Sequence, residues 1–191
     1  MEIIIGNTPI RYIASPWGNF NWWGLSWETI FEDLRNEIPW EQRDAPRKEC
    51  FMSRYTDPYT YGKGAGIRTY TPHPFTNIVN AVLGMTDHYD TGGLDLCFAN
   101  YYDGPRDHLG WHADDSPEID HTYPIAVVSF GSEREIWFRK NGSSEVEKLL
   151  LDHGSLLIMN PGMQMTHQHR IPKHGALCGP RLSLTFRKAL K

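Results

Sequence analysis

The hydrophobic period of this chain changes at Leu94, and that change constrains the fold more than any single motif. Before it, apolar residues recur at helical spacing in two places. Trp27, Ile30, Phe31, Leu34 and Ile38 mark a helix over residues 26–38, with Ser26 as N-cap and Pro39 as stop. Phe75, Ile78, Val79, Val82 and Leu83 mark a second over residues 75–83, ended by Gly84. Residues 40–70 are rich in Arg, Tyr and Gly without a sustained period, and read as loops or hairpins. After Leu94 the period is two, predicting strands at 94–102, 125–130, 135–139, 146–151, 155–159, 163–171 and 181–187. Turn signals separate them, among them Asn141-Gly142, Pro161-Gly162 and Gly179-Pro180. Helices followed by many short strands predict an α+β chain built on a β-sandwich or barrel.

At 191 residues the chain suits one domain. Residues 1–93 would carry helices and recognition loops, and residues 94–188 the strand-built core. A net charge of −4 excludes a surface coated for non-specific polyanion binding. It leaves room for a local basic face, and Arg43, Arg47, Lys48, Arg54, Lys63 and Arg68 fall within one short stretch. The three cysteines, Cys50, Cys97 and Cys178, are dispersed and odd in number, which suits a reducing compartment. With no signal-peptide pattern and no long apolar run, the expectation is a soluble, intracellular monomer, cytoplasmic or nuclear, with no membrane partner.

Trp111-His112-Ala113-Asp114 is the first chemical signal. On a strand, residues two apart share a face, so His112 and Asp114 can reach one metal ion. Two histidines and a carboxylate on one face of an octahedral ion are the ligand set of non-haem iron(II) oxygenases. For the second histidine, His167 and His169 share parity, and parity cannot choose between them. His108, His121, His153 and His174 adjoin Gly, Pro or charged residues and read as loop histidines. In the terminal strand, Arg181, Ser183, Thr185 and Arg187 face one way and Leu182, Leu184 and Phe186 the other. Turned inward, that polar face suits a dicarboxylate, because guanidinium groups grip carboxylates in a bidentate fork. Turned outward, it is the wet side of an edge strand. Asn100 and Tyr102 share a face and can donate to an acid's oxygens.

In order along the chain, these segments resemble those of the AlkB-type nucleic-acid dioxygenases. The resemblance rests on Pro46-Arg47-Lys48, Tyr59-Thr60-Tyr61-Gly62, Asn100-Tyr101-Tyr102, His108 to Asp115, Pro124 to Gly131, His153 to Met159, His169-Arg170-Ile171-Pro172 and Arg181 to Arg187. It implies a double-stranded β-helix (jelly-roll) core with N-terminal helices packed on it, binding iron(II), with 2-oxoglutarate and O2 as cosubstrates. By this resemblance His169 joins His112 and Asp114 at the metal. Arg181, with Tyr102 beside it, takes the distal carboxylate of 2-oxoglutarate, while Arg187 and Asn100 hold the nearer end. Ser183 and Thr185 complete that surface. Tyr59 and Tyr61 fall where the family lines its base pocket. Ser116 stands where such enzymes usually carry an acidic residue, with Glu118 two positions on.

The implied activity is oxidative demethylation of N-alkylated bases such as 1-methyladenine or 3-methylcytosine in DNA or RNA, releasing formaldehyde, succinate and CO2. The partner would be the alkylated nucleic acid, with the target base extruded before chemistry. The alternative is a 2-oxoglutarate-dependent hydroxylase acting on a protein or small molecule. Trp17, Trp22 and Trp23 match nothing in the family and read as core aromatics.

Overall fold

The computed structural model describes residues 8–16, 25–62 and 67–191, and the backbone alone of residues 2–3 and 61. Trp17, Trp22, Trp23 and Lys63 lie outside the described residues. The first helix, α1, runs Trp27–Glu37, and the Ser26 side chain accepts from the Thr29 amide as an N-cap should. The second, α2, runs Asn77–Thr86. It starts later than the apolar pattern suggests because Thr76 takes the cap position, accepting from the Val79 amide.

Fourteen strands are described: β1 (Glu2–Ile3), β2 (Ile10–Ile13), β3 (Glu41–Gln42), β4 (Lys48–Ser53), β5 (Tyr59–Tyr61), β6 (Arg68–Tyr70), β7 (Leu96–Tyr102), β8 (Leu109–His112), β9 (Ile125–Gly131), β10 (Arg134–Lys140), β11 (Glu147–Leu151), β12 (Ser155–Met159), β13 (His167–Ile171) and β14 (Arg181–Arg187). Eight form the major sheet, in the order β1-β2-β12-β9-β14-β7-β4-β3. Four form the minor sheet, β11-β10-β13-β8, and β5 pairs with β6 as a separate hairpin. The two larger sheets face each other as the jelly roll expected.

The core has two layers because the major sheet is apolar on both faces. Its outer face, with Val128, Leu156, Leu182, Leu184 and Phe186, packs against Ile30, Leu34, Val79 and Val82 of the helices. Its inner face, with Ile125, Val127, Leu157 and Met159, packs against Ile136, Phe138 and Ile171 of the minor sheet. Strand β14 is central, paired to β7 on one side and β9 on the other, so the polar face of Arg181, Ser183, Thr185 and Arg187 points inward. It is not the wet face of an edge strand. Gly131 ends β9 with φ +83° opposite Arg181, and a Cβ there would collide with the Pro180 carbonyl oxygen. Only glycine permits both that backbone and that approach.

Several elements depart from the sequence pattern, among them β8, a strand where none is predicted. The strand predicted over residues 163–171 is shorter. Met163–Thr166 forms a helical turn, α3, whose cap Gly162 has φ 81°, and the Thr166 hydroxyl bonds back to the Met163 carbonyl. Strand β4 carries no alternation because both its faces are buried, so its sequence reads as loop. Strand β2, for which the sequence pattern gives no expectation, extends the major sheet beside β12.

Candidate metal centre

The inner face of the minor sheet brings together donors from two strands. His112 ends β8 and His169 lies directly opposite it on β13, with ring centroids 4.2 Å apart. A β-bulge sits beside this pair: β8 advances from Leu109 to His112 while β13 advances only from Ile171 to His169. The extra residue restores the inward aim of His112, which simple alternation from inward-facing Leu109 would send outward. Asp114 does not share the strand as expected: β8 ends at His112, and Asp114 lies just beyond it in irregular chain. Its backbone N–H donates to Gln164 Oε1 at 2.9 Å, so α3 pins the segment that carries the carboxylate.

His112, Asp114 and His169 each offer a ligand atom within 4.8 Å of the others, which suits one metal ion. His112 Nδ1 donates to the Gly110 carbonyl at 2.9 Å, and that fixes Nε2 as the unprotonated nitrogen. Asp114 Oδ1 and His169 Nδ1 are buried without a hydrogen-bond partner. Burial pushes His169 down to about 3, helped by His112, so the ring is a neutral ligand at any ordinary pH. Burial alone would raise the Asp114 carboxyl, but Arg187 and the two histidines hold it down to about 2. Arg187 Nη2 reaches Asp114 Oδ2 at 2.8 Å and leaves Oδ1 for a cation. His167 is half-buried, bonds to Thr166 through Nδ1 and stands outside this group.

The same cavity runs from the histidines to Arg181. Asn100, Tyr102, Ser183, Thr185 and Arg187 also line it. Arg181 is 1% exposed; one nitrogen donates to Ser129 Oγ at 2.9 Å, while Nε and Nη1 are buried without partners. Unsatisfied buried donors are costly, and a carboxylate is the group that would satisfy two of them at once. Burial pushes the Arg181 guanidinium down to about 10, so it remains charged at neutral pH. Its carbon lies 5.2 Å from the Tyr102 ring. The residues present therefore fit both a divalent metal and an extended dicarboxylate.

Two contributors carry no sequence signal of this role. Arg47, which the sequence places in a basic stretch, is 4% exposed and lines the cavity. It contacts Glu49 at 2.5 Å and donates through Nε to Asn100 Oδ1 at 2.6 Å. An arginine only donates, so this contact orients the Asn100 amide with its NH2 as the remaining donor. Arg134 is also buried; it donates to the carbonyls of Asp107 and Pro172 and ties together the loops at the Arg181 end. Along the chain both are ordinary-looking charged residues, and only contacts with distant segments reveal what they do.

Tyr59, Tyr61 and Ser116 are the residues expected at a base pocket. Tyr59 is 1% exposed, stacked on Phe51 at 4.8 Å and tilted against Phe98 at 5.9 Å. Phe51 and Phe98 thus cover much of that ring. Ser116 donates to the Tyr59 hydroxyl and lies 3.1 Å from the Thr60 carbonyl, tying its loop to the β5 hairpin. Glu118 accepts from the Thr60 amide at 3.2 Å and reinforces the same tie. The Tyr61 side chain lies outside the described residues.

The profile of the 2OG-Fe(II) oxygenase superfamily matches residues 27–187. The chain is 34% identical over 175 residues to the human alpha-ketoglutarate-dependent dioxygenase alkB homolog 3, covering 83% of this chain and 60% of that protein. It is 32% identical over 180 residues to the mouse DNA oxidative demethylase ALKBH2, covering 85% of this chain and 75% of that one. The chain thus spans about 60% of the length of the homolog 3 proteins it matches. The structure of OsALKBH1 superposes with a TM-score of 0.64 at 16% identity, covering 98% of this chain and 100% of that one, a likeness of fold. With its paired sheets and inward donors, the chain belongs to the 2-oxoglutarate- and iron(II)-dependent oxygenase superfamily, among the AlkB-type dioxygenases.

Proposed function

We propose that this chain removes alkyl groups oxidatively from N-alkylated bases of DNA or RNA, 1-methyladenine and 3-methylcytosine among them. The observation that supports it most is the single cavity joining three metal-binding donors to the two unpartnered nitrogens of Arg181. That spacing suits a dicarboxylate that touches the metal at one end and Arg181 at the other. The nucleic-acid assignment draws on the mouse relative named a DNA oxidative demethylase.

His112, Asp114 and His169 would hold iron(II), leaving positions for 2-oxoglutarate and O2. When bound, iron with these cosubstrates inserts one oxygen atom into an N-methyl C–H bond and the other into succinate, with loss of CO2. The hydroxymethyl amine then breaks its C–N bond and releases formaldehyde. Arg181 would anchor the distal carboxylate, with Ser183, Thr185 and Tyr102 around it. Asn100, oriented by Arg47, and Arg187 would donate to the end nearer the metal. Arg187 also keeps Asp114 ionised. Leu109, Val127, Ile136, Leu151 and Ile171 make the remaining wall apolar and exclude water. Residues 94–188 would be the catalytic core of one domain. The paired strands β5 and β6, tied down through Ser116 and Glu118, would be part of its recognition layer. Ser116 is spent on that tie and puts no acid at the base, the observation that favours hydroxylation of a protein or small molecule as the second reading.

Formaldehyde release and mass spectrometry on methylated single- and double-stranded DNA and RNA test the proposal. Formaldehyde and restored base are expected from at least one of them. If none yields product under conditions where the protein consumes 2-oxoglutarate, the second reading takes its place.

A further inference from the structure

The outer face of the minor sheet carries a row of side chains that the metal centre does not use. Lys148 on β11, Trp137 on β10 and Arg170 on β13 are direct cross-strand neighbours. Trp111 on β8 completes the row, and all four strands of the sheet contribute to it. Lys148 Nζ lies 4.2 Å from the Trp137 ring; the Arg170 guanidinium lies 4.2 Å from Trp137 and 4.8 Å from Trp111; Arg139 covers Trp111 at 4.3 Å. Cations therefore alternate with indoles across the whole sheet. None of Lys148, Arg170 and Arg139 has a carboxylate within ion-pair distance among the described residues, although the protein is net acidic. The nearest acid along β10, Glu135, accepts from the Trp137 indole. Gln168 braces Arg139 through its side-chain oxygen at 2.7 Å.

Resting on the nucleic-acid reading above, we propose that this face is the track for the nucleic-acid strand flanking the target base. Three features support it. Cations that have no carboxylate partner among the described residues, held in a row by the indoles they flank, offer the phosphates of a strand a line of positive charge. The row crosses three inter-strand gaps of about 4.8 Å, roughly 14 Å, long enough to meet more than one phosphate of a strand. Its last residue, Trp111, precedes His112 on β8, the edge strand of the minor sheet, so the track reaches the rim of the catalytic cavity. A self-contained cation–π ladder would stiffen the sheet equally well but would bind no strand, and experiment separates the two.

Binding of an unmodified, fluorescently labelled single-stranded oligonucleotide is measured by anisotropy across a salt series, which needs no catalysis. The wild-type protein is expected to bind with a salt-dependent affinity. Lys148→Gln with Arg139→Gln should weaken binding at low salt and make the log–log salt slope shallower by about 0.7 for each phosphate no longer neutralised. Trp137→Leu should also weaken it, because Lys148 and Arg170 lose the ring that holds them in the row. Lys148→Gln alone, at an exposed position, keeps the test open if the other variants fold poorly. Lys191→Gln, away from this face, should leave binding unchanged. Demethylation of a methylated mononucleotide, which has no flanking strand, should be the same in wild type and variants. If the oligonucleotide does not bind, or binds all variants with wild-type affinity and slope, the track is wrong. Absence of demethylation with a normal pattern of binding would instead overturn the catalytic reading and leave the track standing.

Discussion

Arg181 shows how one residue can be costly to the fold and useful to the site. Its charge is buried, burial pushes it down to about 10, and two of its nitrogens have no partner. Removing an uncompensated buried cation often stabilises a protein. Arg181→Met, similar in length and apolar, should therefore leave the ligand-free melting temperature unchanged or raised. The same substitution removes a charge-assisted pair worth about 1.5–3 kcal/mol, so the 2-oxoglutarate concentration for half-maximal turnover should rise roughly ten- to 150-fold. Steady-state kinetics with varied 2-oxoglutarate checks this, and an unchanged requirement would remove Arg181 as the anchor. Arg181 itself is legible in the sequence, because strict alternation in Arg181–Arg187 aims it with Ser183 and Thr185. Arg47 is not, because nothing local distinguishes an arginine that orients Asn100 from one in water.

At the scale of elements, the choice between His167 and His169 is a matter of register. Both lie on β13 with the same parity, but β8 ends at His112, opposite His169, and gives His167 no cross-strand partner there. His169→Ala should abolish the visible charge-transfer band that iron(II) and 2-oxoglutarate give anaerobically. His167→Ala should keep it at wild-type intensity. The reverse pattern, read by absorbance titration, would move the metal to the other histidine of β13. The bulge that aims His112 is equally invisible in the sequence, since an extra residue shows only against the strand it pairs with. The α3 turn replaces predicted strand because Gly162 at φ 81° starts a helical turn there, and Gln164 on that turn steadies Asp114.

For the whole molecule, the site is a set of unsatisfied polar groups held between two rigid sheets. Asp114, His169 and Arg181 all carry buried atoms without partners. Ligands that bind only the folded state should then stabilise it by mass action. Anaerobic iron(II) and 2-oxoglutarate, each at about 100 times its dissociation constant, should add about 2.7 kcal/mol apiece. For a chain of this size each ligand then contributes a rise in melting temperature of roughly 5–10 °C, measured by calorimetry. A chelator should return the curve to that of the ligand-free protein. No shift with both ligands present would mean that the cavity does not take them.

By itself the sequence determined whatever depends on the local backbone: two capped helices, the paired faces of β7 and β14, and His112 close to Asp114. These are legible because side-chain direction follows a short period that the chain carries within a few residues. Tertiary structure decided which histidine faces His112, that Arg47 serves Asn100, and that Phe51 and Phe98 cover much of the Tyr59 ring. It also placed Trp111, Trp137 and Arg170 in one row from three strands. Each of those facts is a pairing between segments distant along the chain, set by sheet register and packing, for which one strand's own alternation carries no information.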